Sequence, residues 1–297
     1  MERFVRSLSA TGRDALEGYD ADAARALEGE ERREAEDLLL ARLAQGDSRA
    51  AVALGELGVM RALEPLREAL ARDRAALSQI AIVRALHRLG DDRGLAAVAA
   101  ILRGDGAPSD RTVAAAVAHE LGPPLAGALQ DALSDAAGAV RTNAAVSLAR
   151  LHGHRAPAMD FRDPVGLLAL LLDSPLSSVA ALARAELVAL FDPASGGRAL
   201  PPHADATLVA ARRRLLLAAT DAERATAVDA LPADARPWVA RTLLAAVHRD
   251  ARAVPALAAL GDRVAIEPLR EAAATLAGEL AAAAEAALRA LDARAIS

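Results

Sequence analysis

No cysteine occurs in the 297 residues, so disulfides, thiolate nucleophiles and thiolate metal sites are excluded at the outset. Lysine is missing as well. All 35 basic residues are therefore Arg, which removes any Schiff-base lysine and the lysine of a phosphate-binding loop. A coding bias towards Arg and Ala would account for this, and the chemical exclusion holds whatever its origin. Aromatic residues are only 2% of a chain that is 54% hydrophobic, and Ala and Leu supply most of the remainder. An interior of that kind lets helices approach closely and favours helix throughout, so almost no strand is expected. Long apolar runs are lacking too. Val165 to Leu172 stops at Asp173, well short of the ~20 residues that span a bilayer. The opening MERFVRSLSATGRD is charged at Glu2, Arg3 and Arg6 with no apolar run behind it, unlike a signal peptide. A cytoplasmic protein without membrane contact is expected. The net charge is −5, and residues 1–50 hold 12 acids against 8 Arg, or −4 of that total. Nothing resembles a basic footprint for nucleic acid.

What the chain does have is repetition. The stretch Ala53 to Leu70, ALGELGVMRALEPLREAL, returns 203 positions later as ALAALGDRVAIEPLREAA, Ala256 to Ala273, and Glu64–Glu68 is identical to Glu267–Glu271. Leu57-Gly58, Leu89-Gly90 and Leu121-Gly122 are each spaced by 32, the length of a two-helix unit and a solenoid signature. A chain too long for one compact core fits such an array, whose core grows by stacking. In the turn pattern Leu-Gly-Asp, Gly suits the left-handed position that ends a helix and Asp can cap the next one. Gly90-Asp91 and Gly261-Asp262 keep both residues, whereas Gly58-Val59 and Gly122-Pro123 have lost the Asp. Pro65 and Pro268 fall early in the following helix, where a missing N–H costs least. In VRTNAAVSLARL, Val140 to Leu151, helical spacing puts Val140, Ala144, Ala145, Leu148 and Leu151 on one buried stripe.

An Asp in the turn, Val-Arg, Ala-Ala, Leu and then Leu-Gly-Asp together resemble the HEAT family, in the short bacterial subtype also found in bilin lyases. The resemblance covers residues 46–155 clearly and 236–297 well. It implies an all-α fold, a right-handed α-solenoid of about seven or eight HEAT-like helix pairs. Residues 1–45 are expected to form an acidic helical cap and 46–155 regular repeats. Residues 156–235 are expected to be divergent repeats with a Pro/Gly-rich loop at 192–203, and 236–297 a C-terminal set. Trp238, the one Trp, is expected in inter-repeat packing.

Aligning the second helices by their final Leu sets Arg84, His87 and Arg88 beside His119 and Glu120, and then Asn143 and Arg150. In the family these helices line the concave surface, so the resemblance implies a polar strip there, open to a protein partner. HEAT-type deoxyhypusine hydroxylases hold di-iron with repeated His-Glu pairs. Here His119-Glu120 stands alone, because the preceding repeat has His87-Arg88, a cation where a carboxylate is needed. His152 and His154 lack a third ligand nearby. HEAT-like DNA glycosylases use aromatics and basic grooves, which this acidic chain lacks, and Arg212-Arg213-Arg214 is expected to be solvated. No catalytic residue, cofactor or metal site is expected. The function expected is a non-enzymatic scaffold or adaptor that binds another protein. The alternatives are a tetrapyrrole lyase or chaperone-like component, suggested by the subtype, and an immunity or inhibitor protein for a basic partner.

Overall fold

A computed structural model describes residues 1–8, 19–155, 162–191, 204 and 206–296, and among them every regular element is a helix. The fold is all-α. Two compact units divide the chain, Met1–Ala132 and Leu133–Ser297.

The first unit opens with α1 (Glu2–Leu8), α2 (Ala21–Arg25) and α3 (Gly29–Ala44). Three helix pairs follow: α4 (Ser48–Glu56) with α5 (Leu63–Arg72), α6 (Ala76–Arg88) with α7 (Leu95–Arg103), and α8 (Pro108–Leu121) with α9 (Ala126–Ala132). Helix α4 packs against α3 on one side and α6 on the other, and α6 in turn packs against α8. Helices α5, α7 and α9 return between these rungs. Leu54, Leu66, Leu86, Leu121 and Leu125 are fully buried along the stack. The N-terminal helices are continuous with this interior. Phe4, Tyr19, Leu39 and Leu43 share one core with Ala50, Leu54 and Leu66. Polar contacts lock the same joint: Asp47 caps α4 through the Arg49 N–H at 3.0 Å and accepts from the Tyr19 hydroxyl at 2.5 Å. Its fork to the Arg49 guanidinium, outweighing burial, holds the Asp47 pKa at about 2. The Arg32 guanidinium donates to the Ala24 and Leu57 carbonyls at 2.9 and 3.1 Å.

The expected turn chemistry is present. Gly261 ends its helix at φ 69°, ψ 16°, and the Asp262 carboxylate caps the Val264 N–H at 3.1 Å. Gly122 departs from the left-handed helical conformation, at φ 91°, ψ −176°. Pro123 follows it, and the proline ring bars a helical ψ at the residue before.

The second unit holds α10 (Gly138–Leu151), α11 (Pro164–Leu171), α12 (Ser177–Phe191), α13 (Ala206–Leu217), α14 (Asp221–Asp229), α15 (Arg236–Leu244), α16 (Ala253–Leu260), α17 (Ile266–Thr275) and α18 (Glu279–Ile296). On α10, Val140, Ala144, Ala145 and Leu148 are fully buried as the stripe predicts. Leu151 is only half-buried, a correction. It is the last residue of the helix, and Ser147 and Ala149 fill the interior in the final turn instead. Trp238 is buried in the first turn of α15.

Stacking in this unit skips part of the chain. Helix α12 packs on α17 and α11 on α15, whereas α14 packs on α13 and α16. The α13–α14 pair thus lies aside from the contact between α12 and α17. The stretch 192–203, expected as a loop, lies outside the described residues. One carboxylate fastens α17 to α12. Glu271 accepts the Ser177 and Ser178 N–H groups at 2.7 and 2.8 Å and their hydroxyls at 2.8 and 2.5 Å.

Candidate interaction surface

The three rungs α4, α6 and α8 of the first unit bring charged residues together towards their C-terminal ends. Glu56 closes α4, Arg84 and Arg88 lie one turn apart on α6, and Glu120 stands one residue from the end of α8. Arg84 Nη2 meets Glu120 Oε2 at 2.6 Å, with Nε at 3.2 Å from the same oxygen. Arg88 Nη1 reaches Glu56 Oε1 at 3.1 Å, and its Nη2 lies 3.7 Å from Glu120 Oε2. The result is a ladder of alternating sign across α4, α6 and α8. Every member keeps between a quarter and two-fifths of its side chain in water: 38% for Glu56, 26% for Arg84, 34% for Arg88 and 37% for Glu120. The rungs therefore remain reachable.

The other expected residues divide. His87 Nδ1 pairs with Asp92 Oδ1 at 2.5 Å, off the ladder, and His119 Nδ1 lies 2.9 Å from the Ala116 carbonyl of its own helix. Asn143 and Arg150 belong to the second unit. The Asn143 amide donates to the Ala139 carbonyl one turn back at 2.8 Å, and Arg150 is exposed in the last turn of α10. His152 stacks on Phe191 with ring centroids 5.2 Å apart and His154 lies 6.0 Å from the same ring, so both imidazoles serve packing. Among the described residues, no three of His, Asp or Glu gather as a metal cluster.

The Arg212 expectation needs correction. Arg213 and Arg214 are exposed, but Arg212 is half-buried, and burial lowers its pKa against the opposing pull of Asp250. Its Nη2 lies 3.4 Å from the Thr242 carbonyl. Three consecutive helical positions point about 100° apart, and here the one turned towards the interior is Arg212.

Sequence reasoning missed the apolar half of the surface. Leu77 is 50% exposed and Val113 38%. Each sits seven residues before a ladder member, Arg84 and Glu120 respectively, which is two turns along the same face. Val52 on α4, Ala81 on α6 and Val117 on α8 lie on the same stripes and are half-buried. The signal was present as helical spacing from Glu56, Arg84 and Glu120. It was hidden because an apolar residue on a repeat helix reads by default as core.

The sequence pattern of the PBS lyase HEAT-like repeat matches residues 48–72 and 251–275. The chain carries HEAT-like repeats similar to those of bilin lyases. Each matched stretch covers a helix pair, α4–α5 and α16–α17, and contains one copy of Glu-Pro-Leu-Arg-Glu. Within each matched stretch the helix that the sequence alignment counts second comes first. No match was found among curated proteins or among solved structures. Among the described residues no helix is long and apolar enough to cross a membrane.

Proposed function

We propose that this helical-repeat protein is a non-enzymatic scaffold or adaptor, and that the α4–α6–α8 face of its first unit is where a partner protein docks. The observation that carries this reading is the alignment of exposed Leu77 and Val113 with the Glu56–Arg88–Glu120–Arg84 ladder. An apolar strip beside reachable charges is the composition of a docking patch. The ladder adds little to folding, since half-exposed ion pairs contribute roughly 0–1 kcal/mol each. HEAT-like architecture supports the reading, because stacked repeats create extended binding faces.

The test is capture from native lysate with the wild-type protein beside an Arg84→Ala, Arg88→Ala, Leu77→Asp variant, read by mass spectrometry. A discrete protein held by the wild type and lost by the variant supports the proposal. Identical captures place the partner elsewhere, and no capture by either removes the scaffold. A second reading is favoured by the PBS lyase name of the matched repeat: a component that handles a bilin. Mixing with bilin tests it, and an unchanged visible absorption spectrum would eliminate it.

A further inference from the structure

The ladder is internally paired yet chemically unsaturated. Glu120 takes all of its ion pairs on Oε2, Glu56 uses Oε1, Arg84 uses Nε and Nη2, and Arg88 uses Nη1 and Nη2. That leaves Glu56 Oε2, Glu120 Oε1, Arg84 Nη1 and Arg88 Nε for an outside partner, because a carboxylate has about four acceptor sites and a guanidinium five donors. Charge is ordered by rung. The central rung α6 carries two cations, and the outer rungs α4 and α8 carry one anion each. The apolar residues run parallel to this order, with Val52 on α4, Leu77 and Ala81 on α6, and Val113 and Val117 on α8.

We infer that this face takes an amphipathic α-helix laid across α4, α6 and α8, acidic over α6 and basic over the two outer rungs. The inference rests on the scaffold reading and names its partner class. Adjacent packed helices stand about 8–10 Å apart, and a helix rises about 1.5 Å per residue. A crossing helix therefore meets successive rungs at residues about six or seven apart, close to one heptad. Its apolar side seats on the Leu77–Val113 strip, and its charged edge lies over the ladder, which begins two turns, about 10 Å, further along the same faces. This is the helix-in-groove mode of recognition, with apolar anchors at helical spacing. The charge order sets which helix is accepted. A partner with acids over the outer rungs would set like charges against Glu56 and Glu120, which is how interfaces reject wrong partners.

Two synthetic helical peptides of about three heptads each decide the matter by fluorescence anisotropy against the full chain. Both carry the same Leu stripe. One bears Arg, Glu and Arg at heptad intervals along one edge, and the other bears Glu, Arg and Glu. The Arg-Glu-Arg peptide is expected to bind at least about tenfold more tightly than its inverse, with the gap narrowing as salt rises. Leu77→Asp, at an exposed position, should abolish binding with the circular dichroism spectrum unchanged. A Glu56→Gln, Arg84→Gln, Arg88→Gln, Glu120→Gln variant, with every charge of the ladder removed, should bind both peptides alike. Equal affinity of the two peptides for the wild type, no binding by either, or binding untouched by Leu77→Asp would each overturn the inference. Failure of the helix is separable from failure of the scaffold. A lysate partner lost by the triple variant while neither peptide binds rejects the helical ligand and leaves the docking face standing.

Discussion

At the scale of single residues, identical sequence does different work in the two copies of Glu-Pro-Leu-Arg-Glu. Glu68 is exposed, whereas its counterpart Glu271 holds the N-terminus of α12 with four hydrogen bonds from Ser177 and Ser178. Burial pushes the Glu271 pKa up, but those bonds outweigh it and hold it at about 2, below its ordinary 4.5. A carboxylate with a depressed pKa stabilises the fold fully above its unfolded value, and that contribution fades as pH falls from about 4.5 towards 2. Glu271→Ala removes a helix cap, which typically costs about 0.5–2 kcal/mol. The deficit in urea unfolding is expected to be constant near neutral pH and to shrink below pH 4.5, while Glu68→Ala leaves stability unchanged. A Glu271→Ala deficit independent of pH down to 2 would show that the charge is not what holds the joint. The ladder arginines are the contrasting case. Arg84→Ala with Arg88→Ala should lower the unfolding free energy by no more than surface pairs allow, about 0–1 kcal/mol for each pair removed, while affecting partner capture.

Among elements, close approach decides what the rungs tolerate. A Cβ placed on Gly55 of α4 would lie 2.7 Å from the Ala85 Cα of α6 and 2.9 Å from its Cβ. Backbone cannot yield as a flexible side chain does, so Gly55→Ala should force the two rungs apart at a cost of about 1–3 kcal/mol. Leu148, fully buried on α10, should lose about 2–5 kcal/mol on truncation to Ala. Chemical denaturation of both variants checks the pair, and an unmoved Leu148→Ala would contradict the α10 register. These elements were legible because repeat helices announce themselves through period, Leu-Gly-Asp turns and early Pro. The contact between α12 and α17 was not. It joins residues more than ninety positions apart, and nothing in the local pattern of Ser177-Ser178 signals that its cap comes from Glu271. Arg212 was misjudged for a related reason, since a run of like charges conceals which member the helix turns inward. On the candidate surface, spacing found Arg84, Arg88 and Glu120. It overlooked Leu77, whose exposure depends on which neighbour packs beside α6.

For the whole molecule, the consequence of two compact units is that stability need not be one number. Each unit has its own buried set, and the first draws its N-terminal helices into the core: Phe4 and Leu39 are fully buried with Leu54 and Leu66. Helices α1 to α3 therefore share the interior of the first unit, as a cover over the end of a repeat stack would. Phe4→Ala should cost about 3–5 kcal/mol, the usual range for a buried aromatic, and that cost should fall on the first unit. Hydrogen exchange followed by mass spectrometry separates the units peptide by peptide. Faster exchange is expected in α3, α4 and α6, with α16 and α17 unchanged in the same sample. Uniform acceleration through both units would mean that they unfold as one, and a single two-state ΔG would then describe the chain. No acceleration anywhere would mean that α1 is dispensable to the stack, and the cap would begin at α3.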